Sequence, residues 1–215
     1  MRATRAAARW LVAVTVLAGC GRTPPEPRGE LYGAWLREPE LAQGFELRRD
    51  GTLALLGQPA RSGLAWNASH GELLLSTNDA SHLESRVVHL LIASLEPARL
   101  ELKAADEPLA GRYRRAQAQH VRGVLTYRER MALPPDARVV VELTRAGVGL
   151  AATQAFVAHG EVPIAFELSV VPQPGAIYQV TARIDDRERS WFASPDPVPA
   201  TPDGEALELL LVRAR

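Results

Sequence analysis

Apolar and polar residues alternate in short runs along most of the chain, a pattern typical of β-strands that bury one face. In the first half the strongest signal runs from Phe45 to Leu55, where two alternating runs flank the turn dipeptide Asp50-Gly51. Three more apolar runs, at residues 73–75, 87–95 and 100–102, predict further strands. No amphipathic helix of convincing length interrupts them, so the sequence predicts an all-β protein.

The second half alternates more regularly. Its main apolar runs are Val139 to Leu143, Ile164 to Val170, Tyr178 to Ile184 and Leu207 to Leu211. About six or seven strands of this kind predict an antiparallel β-sandwich with two buried inner faces. Residues 194–204 contain four prolines, which cannot donate ladder hydrogen bonds, so this segment is predicted to be a loop or an uncovered edge. Residues 116–119 are the predicted boundary between two domains, at 30–115 and 121–215.

The N-terminal segment has a different pattern. Three arginines precede an uncharged run from Trp10 to Ala18, which is too short to span a bilayer and is typical of a secretory signal. The run closes with Leu17-Ala18-Gly19-Cys20, which resembles the lipobox of bacterial lipoproteins. This resemblance implies a signal peptide at residues 1–19 and a diacylglycerol on the Cys20 thiol. The alternative, a secreted protein with a chance Cys at its cleavage site, is disfavoured by the flanks and by the absence of another Cys.

A lipidated Cys20 would make the mature chain a membrane-anchored protein. Acyl chains such as palmitate contribute about 0.8 kcal/mol per buried CH₂, so two or three chains hold a protein on a bilayer almost permanently. Gly21, rather than Asp, follows the Cys, which by resemblance to enterobacterial sorting rules implies the outer membrane with the domains facing the periplasm; the inner membrane and the cell surface stay open. Residues 20–29 contain three prolines and predict a short, semi-extended tether.

Composition narrows the class of protein. The 215 residues include 25 basic and 25 acidic groups, 47% apolar and 23% charged residues, which excludes disordered, collagenous and multi-span membrane chains. The neutral balance argues against a nucleic-acid binder. Removal of residues 1–19 leaves 22 basic against 25 acidic groups, and lipidation takes the single Cys. An intramolecular disulfide and a thiolate metal site are therefore excluded.

No motif predicts a catalytic residue, a metal or a cofactor. The histidines show no metal-ligand spacing: His70, His82, His89, His120 and His159. His89, among apolar residues, is interpreted as a hydrogen-bonded strand residue. The carboxylates of Asp185-Asp186 and Glu188 are interpreted as a solvated hairpin tip and not as a calcium site. Asn67-Ala68-Ser69 is a formal glycosylation sequon that we interpret as a turn.

Five segments of the second half carry a family resemblance: Val121-x-Gly123-x-Leu125-x-Tyr127-Arg128-Glu129-Arg130, Leu133-Pro134-Pro135-Asp136-Ala137, Val162-Pro163-Ile164-x-Phe166-x-Leu168, Tyr178-x-Val180-x-Ala182-Arg183-Ile184 and the Leu-rich last strand. Through these segments residues 121–215 resemble the YbaY lipoprotein family, which includes the YscW-type lipoprotein chaperones, or pilotins, of type III secretion. The resemblance implies a sandwich that captures a segment of a secretin and carries it to the outer membrane, by strand addition or groove binding. Residues 194–204 and 122–130 are the candidate edges. The prolines from Pro195 onward depart from the family pattern.

The first half has its own set of motif positions: Gly33-Ala34-Trp35, Gly44-Phe45-Glu46-Leu47, Asp50-Gly51-Thr52, Trp66 and Tyr113-Arg114. In these positions residues 30–115 are similar to small lipocalin-like lipoprotein domains. The resemblance implies a small β-barrel whose base is closed by Trp35 beneath Arg114. About 85 residues are few for an eight-stranded cup, so a filled barrel without a ligand is predicted.

The sequence thus predicts a non-catalytic binding or assembly factor of the bacterial envelope, held on the membrane by its lipid and partnered by an envelope protein such as a secretin. The alternative is a carrier of lipid or a small apolar ligand, with a cavity lined by Trp35, Phe45, Leu73 and Leu100. An enzyme acting on envelope polysaccharide would need paired carboxylates in a cleft, and the spacing picks out no such pair. Trp191-Phe192 is a candidate for a half-exposed contact patch.

Overall fold

The structure is a computed structural model that describes residues 28–39, 41–58, 61–79, 84–129, 131–158, 162–186 and 189–214. The predicted signal peptide, the lipobox at Leu17-Ala18-Gly19-Cys20 and residues 20–27 of the tether lie outside the described residues. The prediction of an all-β protein is confirmed, since the described elements are one four-residue helix and sixteen strands. No helix in these ranges is long and apolar enough to cross a membrane.

The elements, in chain order, are the helix α1 (Arg28–Leu31) and the strands β1 (Gly33–Arg37), β2 (Gly44–Leu47), β3 (Leu53–Leu56), β4 (Arg61–Ser69), β5 (Glu72–Asp79), β6 (Ser85–Glu96), β7 (Arg99–Lys103), β8 (Gly111–Ala116), β9 (Gln119–Tyr127), β10 (Arg138–Arg145), β11 (Gly149–Val157), β12 (Ile164–Val170), β13 (Tyr178–Asp185), β14 (Ser190–Ala193), β15 (Val198–Ala200) and β16 (Leu207–Arg213).

The first half is an up-and-down sheet of eight antiparallel strands, in the order β3-β2-β1-β8-β7-β6-β5-β4. The two ends of this sheet are joined by one isolated bridge, between Thr52, which precedes β3, and Ala65 of β4, and at the other end of β3 Leu56 pairs with Ala152 of β11. The expectation of a closed lipocalin-like barrel is therefore wrong. The inner face is filled by one apolar cluster that includes Trp35, Phe45 and Tyr113.

Trp35 lies at the end of this sheet that is next to α1. Its indole N–H donates to the Leu31 carbonyl at 2.8 Å, and the Arg115 guanidinium lies 4.3 Å from the ring centroid. The predicted partner, Arg114, is one residue away and points to the outer face. Trp35 is paired with Arg115 across β1 and β8, and successive strand residues face opposite sides of a sheet.

The second half packs two groups of strands around its own core. One group has the order β12-β9-β16 and the other the order β14-β13-β10-β11, with β15 beside β13; a short antiparallel pair between β14 and β16 joins the two groups. The sandwich is not entirely antiparallel as predicted, because β16 runs parallel to β9. Phe192 is fully buried and stacks on Tyr127 with 4.5 Å between ring centroids. Trp191 is half-buried, with the Arg189 guanidinium 3.6 Å from its ring centroid.

The structure corrects one local prediction and refines another. Asn67, Ala68 and Ser69 belong to β4 and do not form a turn; the turn follows them at His70 and Gly71, both with positive φ. The segment 194–204 contains the short strand β15, which pairs with β13, so part of it is an edge strand as the prolines indicate.

Candidate functional site

The two halves meet along β11, a strand of the second half that continues the ladder of the first. Ala152 of β11 pairs with Leu56 of β3, and the Gly57 N–H donates to the Ala151 carbonyl at 2.9 Å. This backbone contact makes the described strands one continuous hydrogen-bonded path. We call the region around β3, β11 and β12 the junction.

Side chains of the first half take the place of a further strand along β11. The Ser62 hydroxyl accepts the Ala155 N–H at 3.0 Å, and the Asn78 amide donates to the Ala155 carbonyl at 3.1 Å. Ser62 and Asn78 are both buried. Because the backbone groups of Ala155 are satisfied inside the molecule, this part of the β11 edge is closed to strand addition by another chain.

A buried carboxylate, Glu46 of β2, holds the junction from the first half. It accepts the Ser169 hydroxyl at 2.6 Å and the Arg48 guanidinium at 3.1 Å. Arg48 also donates to the Ser169 oxygen at 2.6 Å and pairs with Glu167 at 2.8 Å. Both carboxylate oxygens of Glu46 lie 3.2 Å from Nε2 of His120. Strands β2, β9 and β12 are thereby connected through one group of polar side chains.

The surroundings of Glu46 favour its charged form. Burial alone raises the pKa of this carboxyl, but the hydrogen bonds from Ser169 and Arg48, together with the charges of His120 and Arg48, outweigh it and leave the pKa below the usual value. His120 also lies 3.7 Å from Asp203, and Glu167 pairs with Arg122 at 2.7 Å. Glu46 is therefore the ionised centre of a network that crosses the junction.

The lowered pKa of Glu46 predicts a pH dependence of stability. A carboxyl whose pKa is depressed by folding contributes its full stabilisation above the unfolded value, near 4.3, and loses it as the pH falls through the folded value. We expect the difference in unfolding free energy between the native chain and Glu46→Gln to be constant at neutral pH and to shrink in acid. Urea denaturation of both proteins across this pH range measures it. A difference that does not change with pH would contradict the ionised state of Glu46.

An apolar groove opens on the junction beside the end of β1. It encloses about 150 Å³ between Leu36, Leu41 and Leu56 of the first half and Leu150 and Val171 of the second. This volume is below the roughly 300 Å³ at which small-molecule sites begin. The groove therefore fits one or two apolar side chains of a partner better than a whole apolar ligand.

Two exposed apolar residues lie at the second-half side of this groove. Val148, which lines the groove, is 67% exposed, and Ile177 is 65% exposed. The Ala146 N–H donates to the Ile177 carbonyl at 3.0 Å, which places the β10–β11 turn beside residue 177. Exposed apolar side chains next to an apolar groove are typical of a protein contact surface. We call the groove together with Val148 and Ile177 the junction groove.

Of the two segments that the sequence predicted to be sheet edges, one is an interior strand and the other is an edge strand. Residues 122–127 belong to β9, which has β12 on one side and β16 on the other, so the expectation of an edge there is wrong. Strand β15 pairs with β13, and no other described strand pairs with it. However, its central residue, Pro199, has no N–H to donate, which is a common way to protect an edge against added strands.

The other candidate histidines and carboxylates from the sequence do not form a common site in the described residues. His89 is exposed and lies 3.8 Å from Glu72, His70 sits in a turn, and His82, His159 and Glu188 lie outside the described residues. Asp186 caps a tight turn, since its side chain accepts the Arg189 N–H at 2.8 Å. Within the described ranges no three His, Cys, Asp or Glu residues form a group that could hold a metal ion.

The residues expected to line a carrier cavity are packed together. Trp35, Phe45, Leu73 and Leu100 belong to one core cluster and are at most 1% exposed. The barrel was predicted to be filled; the interior of the first half is indeed filled, although its strands form no closed barrel, and this packing gives no support to the carrier alternative.

Comparison with known proteins found a family model that matches part of the second half. Residues 116–211 match the family model for the type III secretion system lipoprotein chaperone, YscW, which confirms this part of the predicted resemblance. The chain is also similar to a solved structure of an alternative pilotin from the type II secretion system of Vibrio cholerae, with 26% identity over 46% of this chain and 99% of that chain and a TM-score of 0.41. No curated protein matches the chain. The likeness of residues 30–115 to lipocalin-like domains stays a prediction.

Proposed function

We propose that this chain is a lipid-anchored envelope protein that binds a segment of a secretin-class partner and brings it to the outer membrane, without catalysis. The observation that carries the proposal is the match of residues 116–211 to a lipoprotein chaperone family. The Leu17-Ala18-Gly19-Cys20 sequence supports the anchor, because cleavage before Cys20 supplies the thiol for the lipid. In this arrangement the first half stays attached to the chaperone-like half through the junction.

The junction groove is the surface where we place the partner segment. The alternatives are less suitable: the β11 edge is closed by Ser62 and Asn78, and β15 lacks a donor at Pro199. A groove of about 150 Å³ with exposed Val148 at its margin offers an apolar anchor site, which is the kind of contact that dominates binding energy at protein interfaces. Arg145 also lines the groove and would favour an acidic residue in the bound segment.

The test is a crosslinking pull-down from native envelopes. The native chain is compared with Val148→Asp/Ile177→Asp, and Leu210→Asp/Val212→Asp, at 39% and 44% exposed positions of β16 that do not line the groove, is the matched control. We expect the groove variant to capture at least about tenfold less of an outer-membrane assembly protein, since loss of an apolar anchor costs more than about 1.4 kcal/mol. The control should capture it at the native level.

Cys20→Ala in the same experiment separates the anchor from the groove. This variant should leave the membrane fraction and still bind the partner in extracts, because Cys20 lies far along the sequence from the residues that form the groove. Equal capture by the groove variant and the native chain would contradict the assigned surface. Co-purified lipid without any protein partner would instead favour the carrier alternative.

A further inference from the structure

Strand β6 is longer than both of its neighbours and changes partner along its length. Residues 85–91 pair with β5, and the pairing with β7 begins only at Leu91, which lies opposite Lys103. Strand β7 ends at Lys103, so in the part of the chain that the structure describes no strand lies along the β7 side of residues 85–89. We call residues 85–89 the β6 edge.

The backbone groups on this side of the β6 edge have no partner. The Ile92 N–H donates to the Gly71 carbonyl at 2.8 Å, so Ile92 and every second residue before it turn their backbone groups to β5. The N–H and C=O groups of Ser85, Val87 and His89 lie between these and therefore point away from β5. Among the described residues none bonds to the outward groups.

The chain closes comparable edges elsewhere with its own side chains. The Glu167 N–H of β12 donates to the Gln154 side chain at 2.9 Å, and the Ala68 N–H of β4 donates to the Asn67 side chain at 3.0 Å. The β6 edge has no such closing side chain, and it contains no proline and no lysine, the usual devices that stop foreign strands from adding. The β6 edge is therefore open to a strand from outside the chain.

The β6 edge is complementary to itself. Two copies related by a two-fold axis at Val87 place Val87 opposite Val87 and Ser85 opposite His89, so the positions with unpaired backbone groups face each other. Because these groups point at the partner strand, two N–H···O bonds form in each pair. No like charges meet, since the one arginine of the edge, Arg86, faces Val88 and keeps the carboxylate that it has in its own chain.

We propose that two copies of this chain pair through their β6 edges and form one continuous sheet across their first halves. The Val87 side chains, each 54% exposed, then cover one another on the outer face. Such a two-fold contact satisfies the same backbone groups in both copies, whereas a different protein has to bring an open edge of its own. The pairing is independent of the proposed function, because the β6 edge contributes no residue to the junction groove.

Disulfide crosslinking of the full chain in native envelopes tests this register. A tagged chain carries Ser85→Cys and an untagged chain carries His89→Cys, and the two are produced together or separately. Opposite residues of a hydrogen-bonded pair have Cα atoms about 5.5 Å apart, within disulfide range, whereas two copies of residue 85 lie about 14 Å apart along the strands. A chain with neither substitution gives the background from Cys20.

We expect the two chains to link when they are produced together, and each single variant to give only the Cys20 background. Adding Val87→Lys to both chains should lower the linked fraction about fivefold or more, because two ammonium groups then lie opposite each other. Val212→Lys, at a 44% exposed position of β16, is the control and should leave the linked fraction unchanged. Equal thermal midpoints of the two lysine variants by circular dichroism establish that both are folded.

Three results would overturn the proposal: no link in the mixed pair, equal linking in the single variants, or a linked fraction that Val87→Lys leaves unchanged. A link from Ser85→Cys to a different protein would overturn it as well, because that protein would then occupy the β6 edge. None of these results bears on the junction groove, which is tested at Val148 and Ile177.

Discussion

Replacing Glu46 by glutamine should lower the free energy of unfolding by about 1 to 3 kcal/mol, because it removes the charge that accepts hydrogen bonds from Ser169 and Arg48, while Arg48 keeps its ion pair with Glu167. The Glu46 side chain is 11% exposed and Arg48 is 21% exposed, so water replaces little of the lost interaction. Glutamine keeps the shape of the side chain, which separates the loss of charge from the loss of packing. Urea denaturation at neutral pH measures the change.

The matched control for this substitution is Glu72→Gln. Glu72 is also a strand carboxylate next to a histidine, but its side chain is 52% exposed and 3.8 Å from His89. Exposed pairs contribute little, so we expect a change below about 0.5 kcal/mol. If Glu46→Gln and Glu72→Gln unfold at the same denaturant concentration, the Glu46 network does not hold the junction.

The role of Glu46 could not be predicted from the sequence, although its strand could. Glu46 alternates with Phe45 and Leu47, so the pattern correctly places it on the outer face of the first hairpin. An outer face has the same polar pattern whether water or another domain covers it. Here the second half covers it, through Ser169 and His120, and that contact joins residues more than 70 positions apart.

The strand that forms the junction was also absent from the sequence-based strands. The predicted runs were rich in Leu, Val, Ile and aromatic residues, and β11 instead contains Ala151, Ala152 and Ala155. Small residues give no clear alternation, yet Ala152 and Ala155 are at most 2% exposed. They allow Leu56, Ser62 and Asn78 of the first half to approach the β11 backbone closely. The large apolar residues thus predict the two cores, and the small ones, which form the contact between the cores, are not informative.

The sequence-based prediction and the structure also differ in which arginine of β8 lies against Trp35. The pairing of Trp35 with an arginine of the last strand of the first half was predicted, but with Arg114 in place of Arg115. The stretch Arg112 to Arg115 contains arginines on both faces of β8, so composition cannot select the one on the inner side. As a result Arg115 donates to the backbone next to α1, while Arg114 lies on the outer face opposite Arg99.

Replacing Gly123 by alanine should destabilise the second half by about 3 kcal/mol or more. Gly123 lies in β9 between Phe166 of β12 and Leu207 of β16. A Cβ at this position would lie 2.4 Å from the Leu207 carbonyl oxygen and 2.7 Å from the Phe166 ring. The first contact is with backbone, which cannot move without breaking the parallel pair, so the cost reaches the upper end of that for overpacked cores.

Gly29→Ala is the control, because a Cβ there meets nothing within 4 Å. Denaturation followed by tryptophan fluorescence, with Trp191→Phe to isolate the signal of the first half, distinguishes the two halves. A stability of Gly123→Ala within about 0.5 kcal/mol of the native chain would show that β9 tolerates a side chain and that the close packing is not required. If the loss is found, packing explains the glycine of the Val121-x-Gly123-x-Leu125 motif. Gly123 lets the Phe166 ring and the β16 backbone approach β9 closely, and this contact stabilises the core of the second half.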